Sequence, residues 1–487
     1  MTSAGAVPLA AALDTARQAF LGDGPPSAKV RRNRIDRLLA MILDNTADFV
    51  DATATDYGSR SRSAALFAEI LGMTAVIEHT RAHVPQWMRT ARPMRAATLV
   101  GLRAEVQPSP LGVVGVIGPW NFPVNLTVLP ASAAFAAGNR VMVKMSEITP
   151  HTAELMRVTA PRYFDATELL IVTGGPGVAA EFAGLPLDHL FFTGSPTVGA
   201  AVQCAAAQNL VPVTLELGGK NPVVVGPGAD IERAAGRIAQ ARMVNGGQVC
   251  VCPDYVFVPE DRVRCFVDTA ERTLRAMFPT IIGNGDYCSS VNEANYQRVV
   301  GLIDDARDRG AEIISVAPAG ETLPDAASRK IAPTLIRHVD DTMRIAAEEV
   351  FGPVLVVRGY SHPAEAVEYI NARPAPLVAY WYGPDDDDFR NFLRRTRSGG
   401  VARNDFAAQM IPSAAPFGGV GRSGMGAYHG KAGFDTFSHH RTVVGSDLPF
   451  SITGAAAMPF TTVMRIGADL ALRRARRRNR RRLGSTR

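Results

Sequence analysis

The chain has 487 residues, 47% hydrophobic and 20% charged, which excludes a disordered polymer and exceeds one ordinary core, so two or three domains are expected. The net charge of +6 is a local matter: ten arginines and one acidic residue, Asp469, lie between Arg465 and Arg487, and the remainder carries −3, so nucleic acid is not the expected partner. Five cysteines, an odd number in a long chain, point to a reducing compartment without a disulfide framework. From Met1 to Leu21 no basic segment leads into an apolar core, so no secretory leader is expected and a cytoplasmic location is.

Apolar residues at Ile35, Leu38, Leu39, Ile42, Leu43 and Phe49 predict a helix over Arg31–Phe49, and Ala64–Val76 continues in kind. Val106–Asn139 carries no charge and is long enough on paper to cross a bilayer. Its five prolines divide it into strand (Leu111–Ile117), turn and helix, and a buried βα unit is the better reading. Further strands are predicted at Arg140–Met145, Glu168–Val172, Leu190–Thr193 and Val213–Leu217, separated by helical segments. That alternation implies a parallel sheet with helices on both faces, the doubly wound α/β architecture. No G-x-G-x-x-G fingerprint follows the first strand. Instead Gly194-Ser195 follows a strand and Gly199 comes after four intervening residues, a weak phosphate-loop signal that is equally a turn.

Glu216 ends an apolar run and two glycines follow it, so its carboxylate sits where a ligand can approach backbone. Cys250 follows Gly246-Gly247 at the edge of a second apolar run, Val256–Val258. A polar, partly exposed element end is where a thiol pKa can be lowered, so the pair reads as base and nucleophile. A structural cysteine and a surface glutamate are the alternative on these two residues alone. Residues 220–410 again alternate helix and strand and predict a second α/β domain, with a site between the two. Cys252 has no further Cys/His cluster around it, so a structural role is expected and no metal site.

Glu216-Leu-Gly-Gly-Lys220 and Gly247-Gln-Val-Cys250 resemble the two signature segments of the aldehyde dehydrogenase superfamily. Pro119-Trp-Asn-Phe-Pro123, Lys144-Met-Ser-Glu147, Phe192-Thr-Gly-Ser195, Glu348-Glu-Val-Phe-Gly-Pro353 and Pro416-Phe-Gly-Gly-Val-Gly421 resemble family motifs in the same order, so the likeness covers about residues 30 to 445. It implies an aldehyde-dehydrogenase-like α/β fold: N-terminal helices and a cofactor domain (1–217, with a bridging strand near 97–107), a catalytic domain (218–415), a return segment with a bridging or oligomerisation element (416–447), and a tail (448–487). It also implies Cys250 as nucleophile, Glu216 as base for water, and Asn121 as oxyanion donor. The cofactor would be held by Trp120, Lys144, Glu147, Gly194, Ser195, Gly199, Glu349 and Phe351. A carboxylate at Glu147 suits a free ribose 2′-hydroxyl and tilts the cofactor toward NAD, with NADP as the alternative, and Met145 stands where the family usually has proline. Lys220 and Asn404 match positions near the family's site without an assigned role.

Cys250-Val-Cys-Pro-Asp-Tyr255, Asp286–Asn292 and Gly426-Ala-Tyr-His-Gly430 resemble the class 3 and coniferyl aldehyde dehydrogenase branch. That implies aromatic or medium- to long-chain aldehydes and a homodimer. A CoA-acylating relative would need Glu216 less, and a catalytically silent binding protein would not need an intact site. In the tail, the uncharged Leu448–Met464 and the eight arginines of Arg473–Arg482 leave open a solvated disordered run or a hold on an anionic membrane surface, with nucleic acid as the remaining option.

Overall fold

The computed structural model describes residues 8–449, 451, 453–456 and 458–484. The first residues of the N-terminal leader reading, and Phe450, Ile452, Ala457 and residues 485–487 of the tail, lie outside the described residues. Residues up to Arg89 with Pro108–His439 form one compact unit, and Thr90–Gln107 with the residues from His440 onward form a second.

Two sheets build the first unit. One has six strands in the order Gly424–Met425, Val213–Leu217, His189–Gly194, Val113–Ile117, Arg140–Lys144 and Leu169–Val172. All its pairings are parallel except that of Gly424–Met425. The predicted strands fall on the observed ones within two residues at each end. Four of them read as continuous apolar runs because both faces are covered, as parallel sheets require. The uncharged run is strand Val113–Ile117, turn, and helix Asn125–Ala137, whose residues from Thr127 to Ala137 are all buried. A helix apolar all round belongs in a protein interior as well as in a membrane. Among the described residues no helix is long and apolar enough to cross a membrane.

The predicted helix over Arg31–Phe49 is two helices, Ala28–Leu43 and Thr46–Tyr57. Its periodicity runs through the break because Ile35, Leu38, Ile42 and Phe49 all face the same core. At the break the Asn45 amide donates to the Met41 carbonyl at 2.8 Å, satisfying a last-turn acceptor. The second predicted helix starts as Arg62–Ala65, passes through a π-turn at Leu66–Leu71 and resumes as Gly72–Trp87.

The other sheet has seven strands in the order Gly400–Arg403, Val378–Tyr382, Asn221–Val225, Pro253–Pro259, Val354–Tyr360, Thr334–Arg337 and Glu312–Ser315. Only the last pairs antiparallel. The predicted Val256–Val258 run is the middle of Pro253–Pro259.

Leu102–Pro110 pairs with Ser438–Ser446 in a two-stranded ribbon, the Arg441 guanidinium donating to Gln107 at 3.2 Å. The strand expected near 97–107 thus begins at Leu102, after a 3₁₀ turn over Arg95–Val100. The arginine-rich tail forms a helix, Thr462–Gly484, with no buried residue. Its cations crowd the C-terminal half, where they oppose the negative end of the helix dipole.

Candidate active site

Register sets the first half of the site. Ile117 pairs with Lys144 on one side and Phe192 on the other, and Thr193 pairs with Glu216. The segments beginning at Trp120, Lys144, Gly194 and Glu216 therefore leave the same carboxyl edge of one parallel sheet, where open α/β sheets bind ligands. Ser195 caps helix Pro196–Ala207, its hydroxyl accepting from Val198 N–H at 3.3 Å, and the positive end of the helix dipole lies at this edge, where an anion is favoured. A Cβ on Gly199 would lie 2.6 Å from Leu217 Cδ2, so this glycine lets the helix close on its strand. The Lys144 ammonium is buried, donating to the Met145 carbonyl at 2.7 Å and to Glu147 at 3.3 Å. Glu147 remains 39% exposed, so its carboxylate is open to a hydroxyl ligand. Thr193 Oγ1 is buried without a partner at this edge, and the donor and acceptor set fits the dinucleotide that the sequence implies.

Glu216 is 4% exposed and neither carboxyl oxygen has a hydrogen-bond partner. Burial holds its pKa well above the ordinary carboxylate range. Such an orphan group is costly in a merely structural role.

Cys250 lies in a loop fixed from both sides. Before it, Asn245, Gly246 and Gly247 take φ of 51°, 64° and 77°, and a Cβ on Gly247 would sit 2.1 Å from the Gly352 carbonyl. Gln248 donates to the Asn245 and Ser289 carbonyls at 2.9 and 3.0 Å and accepts from Val291 N–H at 3.0 Å. After it, Asn221 donates to the Cys250 and Cys252 carbonyls. Cys252 is buried, its thiol directed to the Ala241 carbonyl at 3.4 Å. The expectation of a lowered Cys250 pKa is corrected here. Burial raises it, and the nearby Glu349 and Glu216 carboxylates raise it further, so the resting group is a thiol that needs a base.

Glu349 reaches the same place from the seven-stranded half. A Cβ on Gly218 would meet its Oε2 at 2.2 Å, so the carboxylate lies against bare backbone just beyond Glu216. Burial, and then Asp254, push its pKa up to about 8. The chain around it is clamped: Arg298 donates to the Glu349 and Val350 carbonyls at 3.0 and 2.7 Å, Asp254 accepts from Val350 N–H at 2.9 Å, and Lys220 pairs with Asp254 while donating to the Glu348 carbonyl at 2.9 Å. This clamp holds Phe351 at φ 49°, its ring edge-on to Trp120 at 5.3 Å.

Asn121 completes the set. It is 3% exposed, and its amide nitrogen donates to the Gln248 carbonyl at 3.2 Å, two residues before the thiol. One N–H is thereby fixed, and the second is left for an oxyanion. The fold thus gathers Asn121, Glu216, Cys250 and Glu349. Asn404, by contrast, braces a loop through paired bonds to Gly383. Sequence reasoning missed Asn221, Gln248, Asp254 and Arg298 as supports; the one available signal was that Gln248 stands inside one signature segment and Asn221 directly follows the other. Among the described residues no group of three His, Cys, Asp or Glu side chains could hold a metal ion.

A model of the aldehyde dehydrogenase family matches residues 1–443. The chain is 45% identical over 440 residues to the coniferyl aldehyde dehydrogenase of a Pseudomonas species, covering 90% of this chain and 91% of that one. It is 36% identical over 434 residues to the dimeric NADP-preferring aldehyde dehydrogenase of Rattus norvegicus, covering 89% and 93%. A solved substrate-bound state of Staphylococcus aureus AldH superposes with a TM-score of 0.88 at 32% identity, covering 96% of this chain and all of that one.

Proposed function

The chain belongs to the aldehyde dehydrogenase family, and from that premise we propose that it oxidises an aromatic, coniferyl-type aldehyde, or a medium- to long-chain aliphatic one, through Cys250. It is an NAD(P)-dependent enzyme acting on the aldehyde group. The observation that carries the residue assignment is the convergence on Cys250 of a fixed amide, Asn121, and an unpartnered carboxyl group, Glu216.

Cys250 Sγ adds to the carbonyl carbon, and its proton passes to Glu216, whose raised pKa makes its carboxylate a competent base. The oxyanion forms within reach of the Asn121 amide and the Cys250 N–H, donors already in position. Held there, a nicotinamide cofactor would supply a hydride acceptor, the redox chemistry by which the Cys250 thiohemiacetal becomes a thioester. Once Glu216 has released that proton to solvent it takes one from water, the water oxygen attacks the thioester carbon, and the proton passes on to Cys250 Sγ as the acid leaves with the thiol restored. A buried base able to activate water favours hydrolysis over transfer to CoA.

Ser195 and its helix would hold the pyrophosphate, Lys144 and Glu147 the adenosine ribose, Glu349 the nicotinamide ribose, and Trp120 with Phe351 the ring. Glu147 supports a preference for NAD. The name of the dimeric rat relative supports a homodimer, and five free cysteines support a cytoplasmic location. The exposed helix Thr462–Gly484, apolar at Val463, Ile466, Leu470 and Leu472 and basic beyond, supports attachment to an anionic membrane surface. NAD(P)H formation from aromatic and aliphatic aldehydes, by wild type and Cys250→Ala side by side, tests the reaction; reduction by both, or by neither despite cofactor binding, overturns it. Co-sedimentation with phosphatidylserine vesicles tests the tail. It should be lost in high salt and on deleting residues 448–487, and unchanged binding after the deletion overturns that reading.

A further inference from the structure

A charged pair buried at the N-terminal side of the site is not used by the chemistry above. Arg60 is 4% exposed and Glu69 1%. The guanidinium donates to Glu69 Oε1 at 3.1 Å and to the backbone carbonyl of Asn121 at 3.2 Å. Its carbon lies 4.8 Å from the centre of the Tyr57 ring and 5.3 Å from that of Phe122. The other Glu69 oxygen accepts from Asn125 N–H at 2.9 Å, where helix Asn125–Ala137 begins. The Asn121 carbonyl also receives the Tyr57 hydroxyl at 3.2 Å and the Asn245 amide at 3.3 Å.

Three donors, one of them cationic, on one carbonyl exceed what satisfying a buried acceptor requires. A buried ion pair is also poor value for stability, because desolvation offsets most of its attraction. The surplus falls on the residue whose side chain must meet the oxyanion. The Asn245 amide moreover spans to the Gln248 carbonyl at 3.3 Å, the same acceptor that holds the Asn121 side chain. The backbone and side chain of Asn121 are therefore fixed relative to the Cys250 loop by one connected network.

We propose that Arg60, held by Glu69 and stacked between Tyr57 and Phe122, is a positioning residue that fixes Asn121 for oxyanion stabilisation. Its hydrogen bonds run to Glu69 and the Asn121 carbonyl, so its action passes through Asn121. The inference rests on the reading of Asn121 as oxyanion donor, and the test separates the two.

The full-length enzyme is assayed at saturating cofactor as wild type, Asn121→Ala, Arg60→Lys, Tyr57→Phe, and each of the last two combined with Asn121→Ala. Removing an oxyanion donor lowers kcat about 10²–10³-fold. Arg60→Lys keeps the charge but loses the fork that reaches Glu69 and Asn121 together, and misplacing the amide should lower kcat about tenfold with KM changed less than about twofold. Tyr57→Phe removes one hydroxyl and should lower kcat a few-fold with its melting temperature retained. In the Asn121→Ala background both effects should shrink below about twofold, because their target is gone. Equal losses in both backgrounds, or no loss in wild type, overturn the positioning role. If Arg60→Lys does not fold, the Tyr57→Phe cycle decides by the same criterion. Wild-type kcat in Asn121→Ala overturns the oxyanion assignment itself.

Discussion

The Asn221 amide nitrogen donates to the Cys250 carbonyl at 2.7 Å and the Cys252 carbonyl at 3.0 Å, while its oxygen accepts from Val378 N–H at 3.0 Å. One side chain ties the nucleophile loop to its own strand and to the neighbouring one. Asn221→Ala would leave three buried backbone groups unpaired, at about 1–3 kcal/mol each. We expect a loss of at least about 3 kcal/mol in urea unfolding and a kcat at least about tenfold lower.

Cys250→Ala should lower turnover by at least about 10³-fold, since the covalent step has no substitute. Cofactor binding, read as a thermal shift with NAD, should persist, because none of the proposed cofactor ligands changes.

With its pKa raised to about 8, Glu349 keeps its proton in the folded chain at neutral pH. A hydrogen-bond acceptor for ribose hydroxyls strengthens on ionisation. NAD affinity should therefore rise as pH increases through about 8, and Glu349→Gln should flatten the dependence; titration by fluorescence quenching from pH 7 to 9 checks it. The same shift has a sign for stability. The folded state binds this proton more tightly than the unfolded chain, so the contribution is complete below the ordinary value of 4.5 and lost as pH rises to about 8.

Gly218→Ala would place a Cβ 2.2 Å from Glu349 Oε2. The end of a side chain can move where backbone cannot, so the fold should survive and the carboxylate should be displaced. We expect a melting temperature close to wild type with a KM for NAD several-fold higher.

His189, buried and 2.9 Å from the Thr214 hydroxyl, has its pKa lowered by burial to about 4, as has His429. Each group stabilises the fold above the ordinary value of 6.5 and loses that contribution as pH falls to about 4. The melting temperature should drop over that interval, and His189→Asn should reduce the drop.

The sequence by itself determined the strands from Val113 to Leu217 and the parallel sheet they form, because periodicity is a local signal, and its short motifs singled out Cys250, Glu216 and Asn121 as candidates. It left open the break at Asn45, where two helices bury one continuous apolar face. It placed the Cys250 pKa on the wrong side, since that value depends on burial and on two carboxylates brought from elsewhere in the chain. No local pattern singled out Arg60 or Glu69. Only the tertiary structure turned them inward onto Asn121, because whether a charge is solvated or buried is decided by which distant segments close over it.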